Sequence, residues 1–176
     1  MEHELRAELL WRCARDQRAR EAWRRQGGDW GTVKRIDEGN MTWLSKIIAE
    51  YGWPGHLLVG VDGAHAAWLL AQHAALELQV GWLALLREAV ERYDAAARDL
   101  AYLEDRVHIR QAEPQSFGTQ WFGIGDEAAR LFPLADPDQV NARRTGVGLP
   151  PLDEADLGGA WQLDEFRRFQ ASLGAE

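Results

Sequence analysis

Residues 62–91 read DGAHAAWLLAQHAALELQVGWLALLREAVE. The first half is built of Ala, Leu and Trp68, opens on Asp62 as a helix cap, and predicts a helix over about 63–75. The second half places Leu78, Trp82, Leu85, Leu86 and Val90 on one face and predicts a helix over about 77–94. The same period extends in both directions. Leu100, Leu103 and Val107 mark a helix over about 96–110, and Trp43, Leu44, Ile47, Ile48 and Tyr51 mark another that Asp37 opens and Gly52-Trp53-Pro54-Gly55 ends. Residues 2–25 form a long charged helix carrying Leu5, Leu9, Trp11 and Trp23, stopped by Gly27 and Gly28. Residues 29–36 read as a connector, and Leu57 to Val61 as a short strand or extended link.

Beyond Pro114 the helical period disappears. Phe117, Thr119, Trp121 and Phe122 alternate among glycines, which predicts a β-hairpin or loop pair over about 116–134. Asp136-Pro137 starts a short helix to about Thr145, and Trp161, Leu163, Phe166 and Phe169 belong to a last helix over about 160–173. The expected fold is therefore mostly α: a single-domain helical bundle over 1–176 with a small β-hairpin or loop insertion near residues 116–134.

Composition narrows the function. A chain of 176 residues with 46% hydrophobic and 27% charged side chains can bury a core without disulfide or metal staples. Its net charge of −8 argues against general nucleic-acid binding, although residues 1–25 carry seven Arg against five acids. That alternation describes a solvated helix face or, less simply, a basic docking helix. Cys13 stands alone, the N-terminus lacks an apolar leader, and no run of about 18 apolar residues occurs, so the expectation is a cytoplasmic protein with no membrane partner. Of twenty basic side chains only Lys34 and Lys46 are lysine, a bias of GC-rich bacterial genomes.

Four polar groupings carry chemical potential. On the predicted helix 63–75, Asp62, His65, Gln72 and His73 share an arc of about 100° at 100° per residue. That arc faces water or lines a pocket with His73 as general acid or base. His65 and His73 are about 12 Å apart along such a helix and cannot share an ion, so no metal is expected. On the helix 96–110, Asp105 and Arg106 sit on a face opposite the Leu100 stripe, as a structural ion network or an anion clamp. Gln115, Gly118, Thr119 and Gln120 offer backbone approach and adaptable hydrogen bonds. Arg143 and Arg144 lie near a helix end, where cations suit the dipole or face an anion. No phosphate-loop, dinucleotide, nucleophile-elbow or paired-cysteine motif is present, so no cofactor is expected.

The ordered pieces Asp37-Glu-Gly-Asn40, Gly52-Trp53-Pro54, Trp68-x-x-x-Gln72-His73-Ala74, Ala101-Tyr-Leu-x-Asp105-Arg106-Val107, Pro114-Gln115-x-Phe-Gly118-Thr119-Gln120 and Val140-Asn-x-Arg-Arg144 with Gly148-Leu149 resemble a bacterial family of uncharacterised domains with QHA and DR…YGTQ motifs. The resemblance covers about residues 35–152. It departs at Ala75, where that pattern has an acid, and at Phe117, where it has Tyr. The resemblance implies that Asp37, Asn40, His73, Asp105, Arg106, Gln115, Thr119, Gln120 and Arg144 belong together, and it supplies no established activity.

The function expected is a small metal-independent enzyme acting by acid/base chemistry on a small polar or anionic substrate, by hydrolysis, group transfer, cyclisation or isomerisation, in bacterial specialised metabolism. His73, Asp105 and Arg106 form its catalytic set, with Gln72, Gln115, Thr119, Gln120, Arg144, Asp37 and Asn40 binding substrate. The alternative is a non-catalytic binding or interaction module in which the same residues form a structural polar network. A homo-oligomer is compatible with the sequence, which does not fix the oligomeric state.

Overall fold

The Asp29 carboxylate accepts a hydrogen bond from the Gly31 amide at 2.8 Å, and it is here, not at Asp37, that the second helix begins. The computed structural model describes residues 2–123 and 129–173. Among them the order is α1 (Glu2–Gln26), α2 (Trp30–Tyr51), α3 (His56–Ala71), α4 (Leu76–Glu91), α5 (Ala97–Arg110), β1 (Trp121–Phe122), β2 (Arg130–Leu131), a 3-10 turn (Pro137–Gln139), α6 (Val140–Gly146), α7 (Glu154–Gly158) and α8 (Leu163–Leu173). The fold is mostly α with one small antiparallel hairpin, as the sequence predicts. No described helix is long and apolar enough to cross a membrane.

The backbone divides into two compact units, 1–99 and 100–176. In the first, α1 packs on α2 and α3. Leu9 of α1, Val33, Ile36, Leu44 and Ile48 of α2, and Val59, Ala66, Ala67 and Leu70 of α3 are buried. The small residues Gly63, Ala64 and Ala67 keep α3 thin, and a Cβ on Gly63 would press against Val59. The expected connector 29–36 is thus helical. Val33 and Ile36 had the right spacing for it, but Gly31 and Gly39 diluted the pattern.

Leu57 to Val61 is not a strand. A helical turn starts at His56, where the Asp94 backbone carbonyl and carboxylate accept from the His56 and Leu57 amides, and Gly60 then breaks the helix at φ 72, ψ 170. That conformation is open essentially only to glycine, so the two parts of α3 cannot fuse. The predicted helix 63–75 also stops early, at Ala71. Buried Gln79 of α4 donates to the carbonyls of Ala71 and Gln72 at 3.0 and 2.9 Å, and the chain turns through Gln72, His73 and Ala74.

In the second unit, Leu131, Val140 and Leu152 form a core that Leu134, Leu157 and Ala160 extend. Beside it Phe122, Phe132, Trp161, Phe166 and Phe169 make a chain of tilted and edge-on ring contacts. The strands pair Trp121 with Leu131 and Phe122 with Arg130. Residues 124–128, the middle of the expected hairpin, lie outside the described residues. Two further differences concern the C-terminal part. Asp153 caps a five-residue helix, α7, that a short window hides, and α8 opens at Leu163 instead of residue 160.

Ala75 occupies the N-cap of α4 with extended backbone (φ −61, ψ 150) and no side-chain cap. The position that the resemblance associates with an acid is therefore a helix start. Ala75→Asp should stabilise the protein by about 1 kcal/mol in urea unfolding, the usual worth of a cap; no gain, or a loss, would mean that an acid there is not a cap.

Candidate functional site

On α1, the positions that should continue the inner stripe begun by Leu5 and Leu9 are taken by Arg12 and Asp16. The consequence is a buried charge: the Asp16 side chain is 1% exposed. It accepts from Arg20 Nε at 3.0 Å and from Gln17 Nε2 at 2.7 Å. Arg20 reaches across to α2, where it donates to Asp37 at 2.5 Å. One rung away, Arg12 donates to Asn40 Oδ1 at 3.2 Å and lies 4.6 Å over the Trp43 ring. The turn after α3 then brings His73, whose Nδ1 stands 3.2 Å from Asp16 Oδ2. Gln79 holds that turn from below, so His73 is placed by the end of its own helix and by α4.

The electrostatics of this cluster are asymmetric. Burial pushes the Asp16 carboxyl up, but the His73 ring, Arg20 and Gln17 outweigh it and hold the group below its ordinary value. At Asp37 burial is the larger effect, and Arg20 and His73 do not cancel it, so this carboxyl sits above its ordinary value. Two neighbouring carboxyls are thus driven apart, one toward the anion and one toward the acid. The His73 side chain keeps 21% of its surface exposed while Nδ1 is buried, so its solvent-reachable part lies away from Asp16.

The arc expected on α3 does not assemble, because the helix ends at Ala71. Asp62 pairs with Arg6 of α1 at 2.5 Å. His65 approaches Asp99 at 3.3 Å and stacks on Trp68 with ring centroids 4.8 Å apart. Gln72 is buried in the turn, where its carbonyl serves Gln79.

The remaining sequence-predicted residues gather in the second unit around the loop 115–120. Asp105, fully buried, accepts from the amides of Ser116 at 2.7 Å, Phe117 at 3.0 Å and Thr119 at 3.0 Å, and from the Thr119 hydroxyl at 3.0 Å. Arg144 holds the other side of the loop by donating to the carbonyls of Phe117, Gly118 and Pro150 at 2.7, 3.0 and 2.6 Å. Gln115 donates to the Gln120 and Phe132 carbonyls and accepts from the Gln120 amide, and Gln120 donates to Thr119 Oγ1. Gly118, at φ 64, lies so close to Leu152 that an added Cβ would stand 2.7 Å from its Cδ1. Arg106 is half-buried on α5. In this set the polar capacity of Asp105, Gln115 and Arg144 is directed at the protein's own backbone.

Sequence reasoning therefore named Asp37, Asn40 and His73 but not Asp16, Arg20, Arg12 or Gln79. The available signal was the stripe itself. Arg12 and Asp16 fall where Leu5 and Leu9 predict apolar residues, and a charge on an inner stripe must find partners.

Residues 4–158 match a family of unknown function, DUF6624, and the chain belongs to that family. This agrees with the resemblance to an uncharacterised domain. No curated protein and no solved structure matches the chain.

Two outcomes follow. Asp105→Asn cannot accept the four donors of the loop, and breaking such a buried charged network costs about 3–5 kcal/mol, or a fall in Tm of roughly 10 °C; an unchanged calorimetric Tm would remove Asp105 from the scaffold. For Asp16, a folded value held below its ordinary 3.8 contributes stability that is present above that pH and lost as pH falls through the lower folded value. Asp37, held above 3.8, works in the opposite sense, so its contribution falls as pH rises through the window above that value. In urea unfolding across acid pH, Asp16→Asn should flatten the loss of stability below 3.8. A variant with the wild-type slope there would show that Asp16 is not the depressed carboxyl.

Proposed function

We propose that the Asp16–Asp37–His73 cluster is the reaction centre of a small enzyme that performs acid/base chemistry on a small polar or anionic substrate. The observation that carries this reading is the convergence of three titratable groups, with one carboxylate oxygen each of Asp16 and Asp37 and one ring nitrogen of His73 within 4.8 Å of one another. Both carboxyls are joined to Arg20, and their pKa values are shifted in opposite directions, Asp16 down by His73, Arg20 and Gln17 and Asp37 up by burial, an environment suited to different proton-transfer roles within one site. His73, reachable from solvent, is the third titratable group and stands where a substrate can meet the cluster. Arg20 positions both carboxyls, and Asn40 Nδ2, buried without a partner, can donate to a substrate oxygen. Hydrolysis, group transfer and isomerisation all use such a set. In this reading Asp105, Gln115, Thr119, Gln120 and Arg144 shape the second unit, and Arg106 remains a candidate anion contact there. The single thiol, Cys13, fits a reducing, cytoplasmic bacterial setting.

A second reading is favoured by the loop network around Asp105 and Arg144, which is satisfied by backbone groups: a binding module whose polar residues are structural. The two readings separate on His73. Incubating the protein with a bacterial metabolite extract and following small-molecule features by mass spectrometry should show compounds that the wild type consumes and that His73→Gln and Asp37→Asn consume at least about a hundredfold more slowly, both variants remaining folded. Equal conversion by wild type and His73→Gln would end the enzyme reading of this cluster.

A further inference from the structure

The expectation of a metal-free site rested on His65 and His73 as the ligand pair. Tertiary structure offers a different set. One oxygen of Asp16, one of Asp37 and one ring nitrogen of His73 lie within 4.8 Å of one another, brought from α1, α2 and the turn after α3. Neighbouring ligands of a first-row divalent ion stand about 3.3 Å apart, so side-chain rotations that draw the wider separations in by about an ångström close the set.

Two further observations point to what belongs there. His73 Nδ1 comes within 3.2 Å of Asp16 Oδ2, yet it is buried and makes no hydrogen bond. Two ligand atoms that share a cation stand side by side at about this separation. The second observation is Asn40, 4% exposed, whose Nδ2 is buried with no hydrogen-bond partner. The rungs Arg12–Asn40 and Arg20–Asp37 run antiparallel, so Asp16, midway between the two arginines, faces the interval between Asp37 and Asn40. Asn40 follows Asp37 by three residues on α2, on the same helix face, with a buried donor to spare, and an oxygen held on a cation is the acceptor that such a donor needs.

We propose that Asp16, Asp37 and His73 Nδ1 bind a divalent transition-metal ion, with Asn40 donating to a water or substrate oxygen on that ion. The ligand set of one imidazole and two carboxylates selects Zn2+, Mn2+ or Fe2+ over Mg2+ or Ca2+. Gln17 and Arg20, which already hold the Asp16 carboxylate, become the outer partners that orient it. Binding requires Asp37 as a carboxylate, so the ion displaces its proton, and the proton-transfer role passes from Asp37 to the water on the ion. The proposal rests on the cluster being the working site and deepens it: the ion lowers the pKa of its bound water, which becomes the proton-transfer group or nucleophile.

The test uses the full chain after dialysis against chelator. Titration with Co2+ should give visible d–d absorption saturating at one equivalent, and Zn2+ should displace it. His73→Gln and Asp37→Asn should weaken Co2+ binding by about a hundredfold or more, and Asn40→Ala by about tenfold, while His65→Gln leaves it unchanged. His73→Gln keeps the size of the ring's neighbours, and circular dichroism verifies its fold. Absence of d–d absorption in tenfold Co2+ excess, or binding that His73→Gln and Asp37→Asn leave intact, overturns the proposal. Failure here is distinct from failure of the acid/base reading. Turnover that survives chelation but falls in His73→Gln removes the ion and keeps the enzyme, whereas site-specific Co2+ binding without metabolite conversion keeps the ion and removes the enzyme.

Discussion

The Arg20 guanidinium between Asp16 and Asp37 is the contact on which the first unit depends. Asp16 is almost wholly removed from water, and a carboxylate in that position is tolerated only with a paired cation and further donors. Arg20 meets this requirement and at the same time ties α1 to α2, because its other end reaches Asp37. Once α1 is fixed against α2, Arg12 meets Asn40, and the thin alanine face of α3 settles against α1. His73, in the turn after α3, stands against Asp16. The geometry of the cluster is thus a by-product of helix pairing.

The second unit solves a similar problem with the opposite sign convention. The loop 115–120 cannot pair its amides and carbonyls in a ladder, so Asp105 collects the amides and Arg144 the carbonyls. An anion and a cation brace one strip of backbone from two elements. This explains why a short run of Gln, Ser, Thr and Gly can hold a fixed shape between a helix and a two-residue strand.

Helices with regular apolar spacing were legible in the sequence, and so was the loss of helical period near 116–134, read as a β-hairpin or loop pair, where two two-residue strands pair. What was not legible was decided by contacts distant in the chain. Asp37 looks like a helix cap because a cap and an inward-facing acid share the same letter; only Arg20 across the helix pair distinguishes them. His73 and Gln72 fit a helical wheel that the structure does not continue, because Gln79 takes up the carbonyls of Ala71 and Gln72. The motif residues that the resemblance groups together lie in both units. They fall into two sets, Asp37, Asn40 and His73 in one unit and Asp105, Gln115, Thr119, Gln120 and Arg144 in the other, and linear spacing holds no information about that partition. Asp16 and Arg20 were hidden by the alternating charges of α1, which read as a wetted surface.

Because Asp16, Arg20 and Asp37 share a single charge balance, they form one heritable character. Loss of the arginine strands one buried and one half-buried acid, and loss of either acid changes the field at the other. Evolutionary drift at these positions is therefore blocked one residue at a time and open only to concerted exchange. Related sequences should carry the trio whole or replace it by an uncharged set, with the intermediate combinations thinly populated. Arg6 and Asp62, exposed to solvent, are under no such bond and can change independently.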